Sequence, residues 1–188
     1  MNPRAVSIAL LTSVAALQSV PTLAADSLPI DPTHSAVVFS WSHLGYSRPV
    51  ARLEQIIGAV TLDRSDITKS AVDLRLPLAG LRTGVERLDS RLKKAEFLDA
   101  VEYPEIAFRS VRIEKTGADT LKVAGDLTVH GVTKRMTLDA KINRIDATIA
   151  GFDADTTIRR SDFGVSKYVP AVSDLIQVHI TLDAHSEE

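Results

Sequence analysis

Along most of the chain, apolar and polar residues alternate one by one. In "HSAVVFSWSH", His34 to His43, the two-residue period of a β-strand puts Val37, Phe39, Trp41 and His43 on one face, and Ala36, Val38, Ser40 and Ser42 on the other. In "AVDLRLPL", Val72, Leu74, Leu76 and Leu78 share a face opposite Asp73 and Arg75. Val132, Met136, Leu138, Ala140 and Ile142 oppose Thr133, Arg135, Thr137, Asp139 and Lys141, with Lys134 the exception on the apolar side. Ile176, Val178, Ile180 and Leu182 oppose Gln177, His179, Thr181 and Asp183. Such segments read as antiparallel strands that are wet on one face. Weaker alternation marks strands near residues 51–63, 106–115, 121–130 and 147–158, which brings the expectation to about eight strands joined by short turns.

One segment breaks the period. In "TGVERLDSRLKKAEFLDA", Thr83 to Ala100, Val85, Leu88, Leu92 and Ala95 recur at helical spacing with charged residues between them, and Pro104 follows. This predicts one short helix crossing between strands. An antiparallel sheet of about eight strands with one polar face can bury the other as two packed layers or by closing into a barrel, which also removes exposed edges. At eight strands a closed interior has room for side chains or for one small ligand.

Composition narrows the setting. The 188 residues are 45% hydrophobic and 24% charged, with a formal net charge of −2, so one ordinary core is expected and no basic excess marks a nucleic-acid partner. Residues 1–25 differ from the rest: Arg4 precedes the uncharged run "AVSIALLTSVAALQSV", and "PTLAAD" offers small residues for cleavage after Ala24 or Ala25. That layout predicts a cleaved secretory signal peptide, with residues 26–188 as one mature domain. The absence of Cys removes disulfides, thiol nucleophiles and thiolate metal sites.

The candidates for chemistry are few. Five His are the groups that titrate near neutral pH. No His pair or His-Glu cluster has metal-ligand spacing, so no metal is expected. His130 lies at the "VHGV" bend, "DPTHS" reads as a turn opening a strand, and "RRSDFG" as a strand ending in a turn with Phe163 packed and Gly164 free to bend. Asp89 reads as a solvated or capping carboxylate. Nothing in these residues demands catalysis.

Five segments occur together in order: "IDPTHSAVVFSWSHLGYS", "GAVTLD", "RTGVERLDSRLKKAEFLDAVEYPEIAFRS", "VAGDLTVHGVTKRMTLD" and "FDADTTIRRSDFG". In this the chain resembles the YceI-like family from about Ile30 to its last strand. The resemblance implies an all-β fold, an extended eight-stranded antiparallel lipocalin-like barrel, secreted to the periplasm. It also implies an apolar tunnel that takes a polyisoprenoid chain such as an isoprenoid quinone or a polyprenyl phosphate. The chain departs from the family pattern at Ala51 and Leu53, where Gly and Phe are common, and at Leu88 and Ser90, where Arg and His are frequent; the connection "NRIDATIAG" looks shortened.

Alternation alone favours a filled core over a tunnel. Combined with the resemblance, it makes Val37, Phe39, Trp41, Val72, Leu74, Leu76, Met136, Leu138, Ile176, Val178 and Ile180 the expected tunnel wall, with His43 a donor at the mouth. The leading expectation is a non-enzymatic periplasmic carrier or reservoir. It would use no cofactor, take an isoprenoid lipid as ligand, and touch a membrane or a lipid-handling enzyme transiently. Two readings compete: an enzyme acting on a lipid or pigment in the barrel with His34, His43 or Asp89 as acid-base group, and a stress-protective barrel with a filled interior.

Overall fold

The computed structural model describes residues 25–186. The expected signal peptide therefore lies outside the described residues, apart from Ala25. Eleven strands and one α-helix occur among the described residues: β1 (Asp26–Pro29), β2 (Ala36–Ser40), β3 (Val50–Leu53), β4 (Ile57–Leu62), β5 (Ala71–Pro77), β6 (Leu81–Arg82), α1 (Glu86–Leu92), β7 (Glu105–Lys115), β8 (Thr120–Val129), β9 (Val132–Ile145), β10 (Ile149–Arg159) and β11 (Leu175–His185). They form one curled, lipocalin-like antiparallel sheet in the order β1-β4-β5-β7-β8-β9-β10-β11-β2-β3-β6.

The observed count is eleven where the pattern predicted about eight, and each extra strand has a local cause. The run 51–63 is broken into β3 and β4 at Glu54–Ile56, where Gln55 takes φ 62°. The run that begins as β5 passes through a 3-10 turn, Leu78–Gly80, and resumes as β6. β1 is short and mostly exposed, so it carries no alternation strong enough to be read. These breaks let one chain stretch serve two neighbours: β3 pairs with β2 and β6, while β4 pairs with β1 and β5.

Curvature is built into the longer strands. Val111 in β7 and Asn143 in β9, the latter opposite Gly151 and Phe152 of β10, are extra residues in the pairing, and each bends its strand and increases its twist. At the start of β4, Gly58 has φ 148°, and a Cβ there would collide with the Asp73 carbonyl oxygen of β5, so the close approach of β4 to β5 requires glycine. The β8–β9 hairpin turns on His130 and Gly131, both at positive φ (51° and 72°), the backbone that a two-residue hairpin needs to match strand twist.

The curl joins at one end through the start of the domain. Ile30 bridges Ala184 of β11, Asp31 N donates to Asp183 O at 2.8 Å, and the Ser35 hydroxyl accepts from Asp183 N at 2.9 Å. Leu28, Val60, Leu62 and Ala184 are almost fully buried there and pack this end tightly. Leu74, Phe108 and Leu138 continue the core towards the opposite end.

The helix is shorter than its sequence spacing predicted, ending at Leu92 rather than near Ala100. Leu88 and Leu92 are half-buried against the core as expected, but Val85 and Ala95 are exposed. After Leu92 the chain folds back: Leu98 N donates to Leu92 O at 3.1 Å, Ala100 N to Lys93 O at 2.9 Å, and Asp99 takes φ 45°. This turn carries Phe97 and Leu98 to the open end of the sheet, where a continued helix would have led the chain away.

Candidate functional site

Strand alternation aims one side chain in two at the concave face, and at the open end these side chains do not meet. A cavity of about 770 Å³ remains. From β2 and the residues after it come Val37, Phe39 and Trp41, with the last two rings 6.0 Å apart; His43 stands at the edge. Leu74 and Leu76 come from β5, Met136 and Leu138 from β9, and Ile176, Val178 and Ile180 from β11. Eleven of the twelve residues expected at the wall or mouth thus line the cavity. Val72 does not. It shares a face with Leu74, but it lies one step nearer the packed end, opposite Val60 of β4.

Sequence reasoning missed about two thirds of the lining. Ile106 and Phe108 of β7, Leu127 and Val129 of β8 and Ile158 of β10 belong to strands whose alternation was visible, so their faces were readable by the same rule. Leu88 and Leu92 were marked by helical spacing but not aimed at a cavity by it, while Phe97 and Leu98 after α1, and Val165, Tyr168 and Val172 from the β10–β11 connection, had no periodic signal because loop direction is set by tertiary bonds.

Those bonds are specific. The connection from β10 to β11 opens on a 3-10 turn, Arg160–Phe163, that Gly164 ends at φ 79°. Arg160 is 8% exposed and lines the cavity wall. Its Nε donates to Ser173 O at 3.0 Å, Nη1 to Val165 O at 2.8 Å and Nη2 to Val172 O at 3.0 Å. One guanidinium thus fastens both sides of the loop. Burial pulls its pKa below the usual arginine value, the cost of holding a charge away from water, and nearby Asp174 partly offsets this. Asp174 itself accepts from Ser161 N at 2.9 Å, Ser161 Oγ at 2.7 Å and Arg159 Nη1 at 3.2 Å.

A second set of contacts crosses the mouth. Arg91 of α1 donates to the Tyr168 hydroxyl at 2.6 Å and lies 5.2 Å from the centre of that ring and 5.9 Å from the centre of Phe97, with the two rings 6.1 Å apart. Lys167 is 3.8 Å from Glu96. The rim therefore combines aromatic rings with cations, while the wall below is almost wholly apolar. Thr156 and Arg160 are its polar exceptions.

The three acid-base groups of the enzyme reading are not brought together. His34 sits in the turn at the packed end, hydrogen-bonded to Asp31. Asp89 accepts from Thr83 N at 2.7 Å and Thr83 Oγ1 at 2.6 Å, and these bonds hold its carboxyl below the usual range while tying the approach to α1. Of the three, His43 lines the cavity. His130, singled out at the bend, packs edge-on to Tyr103 with ring centres 5.0 Å apart, and its Nδ1 lies 3.2 Å from Phe163 O. No group of three or more His, Asp or Glu able to hold a metal occurs among the described residues.

A UPF0312 protein of Pseudomonas putida (strain GB-1) is 35% identical over 155 residues, covering 80% of each chain. The crystal structure of Burkholderia cenocepacia BcnA shares the fold with a TM-score of 0.77 at 22% identity, covering 82% of this chain and 99% of that one. A polyisoprenoid binding domain from Saccharophagus degradans, implicated in plant cell wall breakdown, superposes with a TM-score of 0.68 at 15% identity, covering 87% and 99%. Residues 28–184, from β1 to the end of β11, match the YceI-like domain, and the chain belongs to the YceI-like family.

Proposed function

We propose that the protein is a non-enzymatic binding protein for an isoprenoid lipid, a polyprenyl chain or an isoprenoid quinone, which it carries or stores in the periplasm after removal of its leader. The cavity is the observation that carries this reading. A space of about 770 Å³ with an almost wholly apolar wall, open at one end, leaves that wall exposed to water unless an apolar ligand covers it. Apolar walls also do not hold ordered water well. A volume of this size suits one small lipid or a length of a longer one.

The energetics favour a prenyl chain. Each buried CH₂ contributes about 0.8 kcal/mol, so a five-carbon unit contributes roughly 3 to 4 kcal/mol before losses. Ordering the chain and removing its translational freedom take back much of this, so several units must be buried together. The continuous apolar wall from Phe39 to Ile180 provides for that. A lipid-binding neighbour on the same fold, the Saccharophagus domain, supports the ligand class. The scattered positions of His34, His43 and Asp89 give the enzyme reading no assembled acid-base site.

Uptake of an added isoprenoid quinone, followed by quenching of Trp41 fluorescence, tests the assignment. Leu74→Arg puts a charge on the cavity wall and is expected to reduce affinity at least tenfold, since the charge must then be desolvated. Met136→Gln, at a half-buried wall position where folding is less at risk, should reduce it severalfold. Arg75→Ala, on the outer face of the same strand, should leave it unchanged. Equal effects from the inner and outer substitutions would remove the cavity from the account.

A further inference from the structure

The cavity opens among three segments, residues 43–50, 85–98 and 166–172, each of which contributes lining residues. The first and third are joined by hydrogen bonds: Leu44 N donates to Ala171 O at 2.7 Å, and His43 bridges Val172. The second is joined to the third through Arg91 and Tyr168. Apolar side chains on this rim leave much of their surface in solvent. Tyr46 is 92% exposed and Leu44 54%, with Tyr168 and Val169 exposed beside them. The core gains nothing from these positions.

The charge on the same rim is unlike the rest of the molecule. The three segments carry six basic side chains, Arg48, Arg87, Arg91, Lys93, Lys94 and Lys167, against three acidic ones. The turns at the opposite end, residues 31–35, 63–70, 116–119 and 146–148, carry two basic against five acidic, and the whole chain is net negative. The three rim segments are therefore net positive, whereas the turns at the packed end are net negative. Tyrosine beside exposed aliphatic and basic residues is the composition that settles at a lipid-water boundary.

We infer that the rim of the cavity docks on the surface of an anionic phospholipid bilayer. Tyr46, Leu44 and Val169 enter the headgroup layer and the surrounding Arg and Lys side chains meet lipid phosphates. A ring of loop tips round an opening has no continuous centre to pack against a folded partner, as a stable protein interface requires. Separate tips can each enter a fluid headgroup layer without such complementarity. Docking in this orientation sets the apolar cavity directly over the acyl region, so a hydrocarbon chain passes between bilayer and protein without crossing water. The proposal builds on the lipid-binding reading by assigning the surface through which the lipid enters.

Co-sedimentation of the ligand-free protein with vesicles tests it. Vesicles of phosphatidylcholine mixed with phosphatidylglycerol should bind at least about tenfold more protein than vesicles of phosphatidylcholine alone, and added salt should weaken the binding. Tyr46→Asp should lower the binding severalfold, and Arg48→Glu combined with Lys167→Glu by about tenfold. Val111→Asp, at a position 49% exposed on the flank of the sheet, should have no effect. Equal binding to both vesicle types, or equal loss from Val111→Asp and Tyr46→Asp, would overturn the proposal. So would a Tyr46-dependent dimer in sedimentation velocity, which would give the rim to a second copy of the chain. Uptake of isoprenoid quinone from detergent micelles separates the two claims: if it persists in a protein that ignores vesicles, docking fails while lipid binding stands.

Discussion

Asp31 shows how much one side chain can hold together. Its carboxylate accepts from Thr33 N at 2.7 Å, pairs with His34, and lies 3.2 Å from His185 Nε2, while its backbone N–H bonds to β11. The His34 bond, with help from Thr33, holds the Asp31 pKa well below its ordinary 3.8. The same contact raises His34 above its ordinary 6.5. The Asp31 contribution to stability is thus complete above pH 3.8 and is lost as pH falls below it. The His34 contribution is complete below pH 6.5 and is lost as pH rises through its elevated value. The melting temperature should accordingly fall as pH rises above 6.5, and His34→Ala should show a smaller fall. Identical pH profiles for the two proteins would mean that the turn contributes nothing.

At the scale of elements, strands and loops are positioned by different physics. Alternation in β5, β9 and β11 correctly separated inner from outer residues, because burial of one face is decided within each strand. The same rule placed Val72 on the inner face but could not locate it along the axis, where packing against Val60 replaces the cavity. Nor could it divide 51–63 into β3 and β4, since that break depends on what each half pairs with. α1 was legible in its first turns through Leu88 and Leu92. Its end was not, because the fold-back is fixed by hydrogen bonds to Leu92 and Lys93. The 165–173 loop gave no pattern either, and Arg160 explains why: its shape comes from one buried guanidinium reaching three carbonyls. Arg160→Met keeps an apolar side chain in place but strands those carbonyls, at a cost of at least about 2 kcal/mol. Limited proteolysis should then cut between Val165 and Ser173 before the sheet unfolds. A loop as resistant as in the unaltered protein would show that other contacts fix it.

For the whole molecule, a packed end and a hollow end follow from one curled sheet. β1, β4 and the far part of β11 fill their half with Leu28, Val60, Leu62 and Ala184, whereas the other half keeps its apolar side chains apart around the cavity. A sheet that buried its inner face solely for stability would have closed this space, since dispersion contacts are lost across a gap. Polarity runs the same way, from acidic turns at the packed end to the basic, aromatic rim. The sequence made the apolar wall visible; that its side chains stand apart is a property of strand curvature and of the α1 and 165–173 segments that frame the mouth. The most direct test is native mass spectrometry of the protein released gently from the cells of its host. The account predicts one isoprenoid lipid per chain, retained by the unaltered protein and lost from Leu74→Arg. Repeated recovery of bare protein that also takes up no added quinone or polyprenyl lipid would contradict it.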